Sequence, residues 1–309
     1  SPAIANVADS VLTVKFQATD PNYYTVTGEA TVTINPADAT IDVADSGKVF
    51  GEADPLFIGI VSGLVDPDDL GTVTYIRTNA TVNDAGSYAE VLDAEYTANS
   101  NYNVTVNKGD FAITKSESMT VDADDVVKTY DGNSYGVTAT SNVSSATIKY
   151  WNESTSAYDL DVSPAIANVA DSVLTVKFQA TDANYYTVTG EATVTINPAD
   201  ATIDVADSGK TFGEADPAFT GSVSGLVNNA DLGTVTYSRT NTEEGVGSYP
   251  EVLDAEYTAN SNYNVTVNKG DFAITKSESM TVDADDVVKT YDGNSYGVTA
   301  TSNVSSATI

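Results

Sequence analysis

The stretch Ser1-Pro-Ala-Ile-Ala-Asn-Val-Ala-Asp-Ser10 returns letter for letter as Ser163–Ser172, 162 residues later. The two copies remain similar beyond it, and Glu90–Ile148 is identical to Glu251–Ile309 at every position. Self-similarity at a fixed period is the signature of an array of stacked units. The sequence therefore predicts a tandem-repeat protein, an organisation more typical of spacers, stalks and fibres than of enzymes.

A fainter repeat divides this period into two related units of about 80 residues. Asn22-Tyr23 begins twelve residues before Ile34, and Asn101-Tyr102 begins twelve residues before Ile113. In both places the isoleucine is followed by a short polar stretch and then by a strand-like segment. We therefore expect each period to contain two small domains of similar design.

Apolar and polar residues alternate with period two through most of the chain, as in Leu12–Ala18. Such alternation is typical of half-buried strands, and polar clusters such as Asp131-Gly-Asn-Ser134 are typical of the turns between strands. The best helical candidate is one turn at Asp66–Leu70. The predicted fold is all-β: a tandem array of β-sandwich or β-grasp-like domains. Joints such as Asn35–Ala39 and Thr114–Ser118 are too poor in Gly and Ser to be flexible coils, which favours an elongated rod.

Charge and composition exclude several classes of function. The chain has 44 acidic and 13 basic residues, a net charge of −31, and neither histidine nor cysteine. Nucleic acid is excluded as a partner because phosphate contacts need clustered Lys and Arg. Membrane insertion is not expected, since no apolar run approaches the roughly 20 residues of a membrane helix. Catalysis by His or Cys is excluded, and we predict that the protein is not an enzyme.

Calcium is the one metal that the sequence leaves open, because carboxylate oxygens are its preferred ligands. The candidates are two identical acidic clusters, which comprise Asp122, Asp124, Asp125, Asp283, Asp285 and Asp286. Neither cluster has the spacing of an EF-hand loop or of a calcium-binding nonapeptide repeat. No cofactor is therefore predicted, and calcium stays the one candidate metal.

Differences between the two copies indicate an interface. Four large apolar residues of the first copy are small or polar in the second: Leu56, Ile58, Ile60 and Ile76 become Ala218, Thr220, Ser222 and Ser238. Their neighbours on the opposite strand face are unchanged. Each large-to-small change in a core costs about 2–5 kcal/mol, so this face should lie outside the core. We predict that the four residues form a self-association surface; the competing interpretation is drift on a tolerant surface.

Exposed aromatic residues suggest an alternative function, the binding of glycans or mucin-like partners. The candidates are the pair Tyr150-Trp151, in a predicted hairpin, and the tyrosine pairs Tyr23-Tyr24 and Tyr185-Tyr186. The favoured explanation of these residues is ordinary: strand aromatics and a tryptophan in a turn.

Two sets of motifs resemble known repeat domains. Lys48-Val-Phe-Gly-Glu-Ala-Asp-Pro55 and Phe111-Ala-Ile-Thr114 resemble the MBG-type domain of large bacterial surface proteins. Lys128-Thr-Tyr-Asp-Gly132, followed by Asn184-Tyr-Tyr186, resembles the companion YDG-type domain. The resemblance implies secreted, repetitive adhesins or haemagglutinin-like proteins with a small β-rich fold, and it implies no catalytic or ligand-binding residue. Phe50 departs from the MBG pattern, which usually has Tyr there.

On this resemblance the chain divides into five segments, two of them partial. These are a YDG-type back half at 1–36, an MBG-type domain at 37–115, a YDG-type domain at 116–198, an MBG-type domain at 199–276 and a YDG-type front half at 277–309. We expect a window of a longer array: a stalk or extracellular fibre segment of a very large bacterial surface or secreted protein. Its expected partners are other copies of the chain or adjacent repeats.

Overall fold

The computed structural model describes residues 2–9 and 11–309; Ser1 and Ser10, the two ends of the first ten-residue repeat, lie outside them. The described residues contain strands throughout, two three-residue 3-10 helices, Val7–Asp9 and Val169–Asp171, and no α-helix. The all-β prediction is therefore confirmed. Contacts divide the chain into two compact units, the first comprising Ser1–Ala123, Ala139–Val162 and Lys177–Glu191, and the second Asp124–Thr138, Ser163–Val176 and Ala192–Ile309.

The first unit begins with an antiparallel strand pair that is followed by two sheets. Its strands up to residue 114 are β1 (Leu12–Ala18), β2 (Val26–Val32), β3 (Ala37–Val43), β4 (Ser46–Val49), β5 (Gly59–Ser62), β6 (Thr74–Arg77), β7 (Gly86–Glu95), β8 (Tyr102–Asn107) and β9 (Gly109–Thr114). β1 pairs with β2. The two sheets have the strand orders β5-β3-β8 and β4-β9-β7-β6. The pairs β3–β8 and β4–β9 are parallel, and the remaining pairs are antiparallel.

These two sheets share one apolar core and form what we call the first sandwich. Ile41 on β3, Leu92 on β7 and Phe111 on β9 are fully buried and belong to a single cluster. Alternation along β3 explains this, because Ile41 and Val43 face inward while Asp42 between them is exposed. No helix among the described residues covers a sheet. Of the two predicted alternatives, the fold is therefore the β-sandwich and not the β-grasp.

Seven strands follow, and residues of both units contribute to them. They are β10 (Val121–Asp122), β11 (Val126–Thr129), β12 (Thr140–Ser141), β13 (Thr147–Asn152), β14 (Ala157–Leu160), β15 (Leu174–Thr181) and β16 (Val188–Asn197). Within the first unit, β10 pairs with β12, and β13 pairs with β14 and with residues 178–181 of β15. Within the second unit, β11 runs parallel to residues 194–197 of β16.

The second unit contains a second sandwich built like the first. Its strands are β17 (Ala199–Val205), β18 (Ser208–Thr211), β19 (Gly221–Ser224), β20 (Thr236–Arg239), β21 (Gly247–Glu256), β22 (Tyr263–Asn268) and β23 (Gly270–Thr275), and β24 (Val282–Ala284) and β25 (Ala300–Ser302) follow. The sheet orders β19-β17-β22 and β18-β23-β21-β20 repeat those of the first sandwich. Leu253 and Phe272 occupy the core positions of Leu92 and Phe111.

Glycine fixes which face of β5 points inward. A Cβ atom on Gly59 would lie 2.4 Å from the ring of Tyr75 and 2.6 Å from the carbonyl oxygen of Asp42, so no larger residue fits there. Since side chains alternate along a strand, Ile58 and Ile60 on either side of Gly59 point outward.

The predicted helical turn at Asp66–Leu70 is a hydrogen-bonded turn and not a helix, with the Asp69 N–H donating to the Asp66 carbonyl. The 3-10 helix at Val7–Asp9 was not predicted. It begins where the Asp9 carboxylate accepts hydrogen bonds from the backbone N–H groups of Ala5 and Asn6.

Candidate functional site

The outer side of β5 and the residues before it carry an apolar patch, the β5 surface, which consists of Leu56, Ile58 and Ile60. These side chains are 89%, 63% and 70% exposed. β5 is also an edge strand of its three-stranded sheet, and edge strands offer unpaired backbone groups to another chain. Exposed apolar patches of this kind mark contact surfaces.

Ile76, the fourth predicted interface residue, does not belong to this patch. It lies on β6, in the other sheet of the sandwich, and it is half-buried. Its neighbours Tyr75 and Arg77 point into the core, where the Arg77 guanidinium lies 4.7 Å from the centre of the Phe111 ring. Ile76 therefore lies on the outer side of the four-stranded sheet, and the β5 surface comprises three residues instead of four.

The second sandwich keeps the inward residues of this region and changes the outward ones. Phe219 packs edge-on against Phe272 at 5.8 Å, just as Phe57 packs against Phe111 at 5.7 Å. The outward residues Ala218, Thr220 and Ser222 are all exposed. The substitutions between the copies thus remove an apolar surface while leaving the core intact.

A cluster of charges lies beneath the loop that follows β6 in the first sandwich. The Arg77 guanidinium donates to both Asp54 oxygens, at 2.8 and 3.2 Å, and the Lys48 Nζ lies 2.9 Å from both an Asp54 oxygen and the Asn83 Oδ1. The Lys48 and Arg77 side chains are only 7% and 2% exposed. Two nearly buried cations therefore share one carboxylate. Burial would raise the pKa of Asp54, but hydrogen bonds from Lys48 and Arg77 outweigh it and lower that pKa.

The second sandwich has a fourth charge in the equivalent cluster. Lys210 and Arg239 both pair with Asp216, at 2.7 and 3.1 Å, and both also pair with Glu244, which takes the place of Asn83. Hydrogen bonds from Lys210 and Arg239 lower the pKa of Glu244, and those to Asp216 and Glu244 raise the pKa of Lys210. Two cations are thus balanced by two carboxylates, and every charged group has a structural partner.

An asparagine and a tyrosine fasten the first sandwich to the segment after β15; we call this contact the tyrosine joint. The Asn184 Oδ1 accepts the backbone N–H of Ala85 at 2.7 Å, and its Nδ2 donates to the Asp84 carboxylate at 3.1 Å. The Tyr185 ring packs edge-on against Phe50 at 5.3 Å. The Ser116 N–H donates to the Asn184 carbonyl at 3.0 Å.

A second joint holds each sandwich to the 3-10 helix before it. The Asn101 Oδ1 accepts the N–H of Val7 at 2.8 Å, and its Nδ2 donates to the Asn6 Oδ1 at 3.1 Å. In the second unit Asn262 makes the same contacts to Val169 and Asn168, at 2.8 and 3.1 Å. The side-chain contacts of these joints were not predicted, although Ser116 of the tyrosine joint lies in the predicted connection Thr114–Ser118. The Asn-Tyr pairs that recur twelve residues before an isoleucine were the available signal.

Removing the asparagine should loosen the tyrosine joint without unfolding either partner. In Asn184→Ala the Ala85 N–H loses its acceptor, and a net hydrogen bond is worth about 0.5–1.5 kcal/mol. We expect the amide of Ala85 to exchange with solvent roughly 2–10 times faster, measured by hydrogen exchange. Asn103→Ala removes only an exposed contact to Asp38 and should leave that amide unchanged. Equal exchange in both variants would show that Asn184 does not hold the joint.

The prediction that Tyr150 contacts a glycan is wrong. It is buried, its hydroxyl accepts the N–H of Ala139 at 3.0 Å, and its ring packs against Phe178. Alternation along β13 places the neighbouring Trp151 on the other face, where it is half-buried against the Tyr158 ring at 5.1 Å. The pair therefore presents no aromatic platform.

The six acidic calcium candidates are all exposed: Asp122, Asp124, Asp125, Asp283, Asp285 and Asp286. Two of them have backbone partners: Asp122 accepts the N–H of Ala123 at 2.9 Å, and Asp125 accepts that of Thr193 at 2.7 Å, which lowers the pKa of Asp125. Across residues 2–9 and 11–309, no three acidic side chains are grouped so that they could hold a metal ion. Over the same residues, no helix is long and apolar enough to cross a membrane.

The fold and the joints define a class of protein: a tandem array of small β-sandwiches with ordered connections. Residues 39–112 and 201–273, which form most of the two sandwiches, match the MBG domain of the YGX type. Both sandwiches match that domain family, which confirms the MBG-type resemblance. The YDG-type assignment of the intervening segments stays a prediction.

Several solved structures are similar to most of the chain at low identity. The protocadherin γB4 extracellular domain has 10% identity and a TM-score of 0.30, with 94% of this chain covered. The titin I9–I11 tandem has 9% identity and a TM-score of 0.25; 77% of this chain and all of that one are covered. The chain spans 58% of the protocadherin chain. Such low TM-scores say nothing about what this chain binds. None of the curated proteins matches it.

Proposed function

We propose that this chain is a structural segment, a stalk or extracellular fibre, of a very large secreted or surface protein of a bacterium. The observation that carries the proposal is the pair of ordered joints, because a sandwich fastened to its neighbours transmits position along the chain as a flexible linker cannot. The acidic surface suits an exposed repeat, since it keeps many similar domains soluble. Protease treatment of intact source cells should release fragments of this chain; fragments released only after lysis would contradict the location.

We further propose that chains associate laterally through the β5 surface of the first sandwich. The surface combines three exposed apolar side chains with an unpaired strand edge, so an identical surface on a second chain complements it in both respects. Such a contact uses the same patch on both partners. The second sandwich, with Ala218, Thr220 and Ser222, would not take part, so only one of the two sandwiches of this chain would make the contact.

Charge determines the conditions for this association. Asp42 lies beside the β5 surface on β3 and is exposed, and the chain as a whole carries −31 charges. Two such surfaces repel each other at low ionic strength. At 1 M salt the screening length falls to about 3 Å, so association should strengthen with salt.

Converting the β5 surface to its counterpart in the second sandwich should abolish lateral association. We expect the variant Leu56→Ala/Ile58→Thr/Ile60→Ser to keep its fold, because these side chains lie outside the core, and to lose the salt-promoted rise in solution mass seen by light scattering. The matched control is Ile76→Ser, which makes the remaining exchange on the other sheet and should associate as the natural sequence does. Loss of fold in the triple variant, or unchanged association, would overturn the proposed surface.

A further inference from the structure

Backbone hydrogen bonds divide the residues of β5, and those just before it, into two sets. The Ala44 N–H donates to the Ile58 carbonyl at 3.0 Å, which continues the antiparallel register of β3 and β5. In such a pair, hydrogen-bonded and non-hydrogen-bonded residues alternate along each strand. The backbone groups of Ile58 and Ile60 therefore point to β3. Those of Phe57 and Gly59 point to the open edge of the sheet, where the described residues provide no partner strand.

Side chains alternate in step with these backbone groups. Leu56, Ile58 and Ile60 point outward and form the β5 surface, while Phe57 packs on the core and Gly59 has no room for a side chain. A strand that added to this edge would form hydrogen bonds with one set of residues and apolar contacts with the other. The edge is thus suited to pairing and to apolar burial at the same time.

The open edge is a property of the sandwich and not of its position in the chain. In the second sandwich, which follows strands β10–β16, the described residues likewise pair β19 on one side only, with β17. The Ala206 N–H donates to the Thr220 carbonyl at 2.9 Å, so the backbone has the same arrangement. Thr220 and Ser222 are exposed there, as Ile58 and Ile60 are in the first sandwich. The two edges therefore differ in their side chains and not in their exposure.

We propose that β5 pairs antiparallel with β5 of a second copy of this chain, about a two-fold axis at Ile58. The inference deepens the proposed lateral association and rests on it. In this register Ile58 faces the partner's Ile58, and Leu56 faces the partner's Ile60. Phe57 exchanges backbone hydrogen bonds with the partner's Gly59. The two three-stranded sheets then continue as one sheet of six strands.

The apolar pattern selects both the occupant and the register. It is symmetric about Ile58, with one large apolar residue two positions away on either side, so it matches its own reverse. Register is set by the hydrophobic pattern, and cross-strand pairs of apolar side chains stabilise a sheet. With the axis at Ile58, all three outward residues face apolar residues. An axis one residue later would place Leu56 opposite the polar Ser62, and an axis one residue earlier would place Ile60 opposite Asp54.

A two-fold contact of this kind also limits the number of chains. It uses the same surface on both partners and leaves neither copy free, and the second sandwich lacks the apolar residues. Two chains of this sequence should therefore form a closed pair and not a larger bundle. With three apolar side chains and one short strand edge on each side, the contact falls at the low end of interface areas, below about 1,200 Å² in total. Such a contact is weak and reversible, in keeping with the salt dependence expected from the charge of the chain.

Single cysteines test the register, because the natural chain contains none. In Ile58→Cys the two cysteines would be directly opposed in a non-hydrogen-bonded pair, with Cα atoms about 4.5 Å apart, a separation that a disulfide spans. At high salt under mild oxidation, the full chain with this substitution should give a disulfide-linked dimer on non-reducing gels. Ile60→Cys is the matched control: its two cysteines would lie four residues apart along the strand, about 13 Å, and should link roughly tenfold more slowly.

A mixture of two single variants covers the case in which Ile58→Cys itself weakens association. Leu56→Cys and Ile60→Cys, mixed in equal amounts, should link to each other faster than either links to itself, because these residues face each other in the proposed register. Mass spectrometry of the linked peptides distinguishes the products. Light scattering of the natural sequence at high salt should reach a mass of at most twice 32.2 kDa.

Three outcomes would overturn the inference in different ways. Equal linking rates for the cysteines at Leu56, Ile58 and Ile60 would show association without a fixed register, while salt-promoted association would still support the lateral surface. A mass that continues to rise beyond twice 32.2 kDa would contradict the closed pair. Absence of any salt-promoted association would remove the β5 surface and this geometry together. The structural role of the segment is tested separately, by its release from intact cells.

Discussion

Asp54→Ala should destabilise the first sandwich by about 3 kcal/mol, near the lower end of the range for breaking a buried ion pair. The substitution leaves the Lys48 and Arg77 side chains almost fully buried without a carboxylate partner. About a quarter of the Asp54 side chain is exposed, and for this reason we expect the lower end of the range. Because a multidomain chain does not unfold in one step, the free energy should be read from hydrogen exchange of core amides in each sandwich separately.

The second sandwich supplies the control for this prediction. In Asp216→Ala the cations Lys210 and Arg239 still have Glu244, so the loss of stability should be clearly smaller. Adding the missing carboxylate by Asn83→Glu should rescue Asp54→Ala in the first sandwich. If Asp54→Ala and Asp216→Ala have equal effects, the imbalance of charge between the two clusters has no energetic importance.

Acid should lower the stability of the first sandwich, as Asp54→Ala does. The pKa of Asp54 is lower in the folded protein than its ordinary value. A group whose pKa is depressed on folding stabilises the fold at pH values above its unfolded pKa, and this contribution is lost as the pH falls through the folded pKa. The first sandwich should therefore lose this contribution below about pH 4, the ordinary range for an aspartate.

Phe111→Ala should cost the first sandwich about 3–5 kcal/mol, the range for truncating a buried phenylalanine. Phe111 has no exposed surface, packs edge-on against Phe57 at 5.7 Å and supports the Arg77 guanidinium at 4.7 Å. Truncation removes apolar burial and the cation–π contact together. Hydrogen exchange of the core amides in β3 and β9 should approach that of an unfolded chain.

Phe272→Ala should have the same effect on the second sandwich. Phe272 is equally buried, with Phe219 at 5.8 Å and Arg239 at 4.7 Å. Suppose that the loss of stability is equal at Phe111 and Phe272 but unequal at Asp54 and Asp216. The two sandwiches then have equivalent cores and differ in their charge clusters. A Phe111→Ala loss well below that of Phe272→Ala would contradict the equivalence of the cores.

Alternation and repetition in the sequence were sufficient to predict strands and tandem domains. Leu12–Ala18 forms a strand as predicted. In its copy, Leu174–Thr181, the alternating residues Val176, Phe178 and Ala180 are buried, as period-two alternation predicts. Comparison of the copies also placed Leu56, Ile58 and Ile60 on an outer face. It failed to separate Ile76 from them, because the sequence does not state which strands share a sheet.

Contacts between residues distant in the chain could not be predicted. Lys48 on β4 and Arg77 on β6 lie at opposite edges of one sheet, and they meet through Asp54, which follows β4 in the chain. Tyr150 was misjudged because it stands beside Trp151, and two adjacent aromatic residues on one strand give no signal of which faces inward. Exposure of each aromatic residue depends on packing partners that local patterns do not specify.

The parallel strand pairs have a mechanical consequence. In the first sandwich β3, at the start of the domain, runs parallel to β8, with residue pairs from Ala37↔Tyr102 to Asp42↔Asn107, and β4 runs parallel to β9. Tension applied at the two ends of the domain pulls the strands of each pair in opposite directions along their length. All hydrogen bonds of a pair are then loaded together in shear, instead of opening one after another as in a zipper. The parallel pairing of these strands therefore makes each sandwich resist unfolding by tension applied at its two ends.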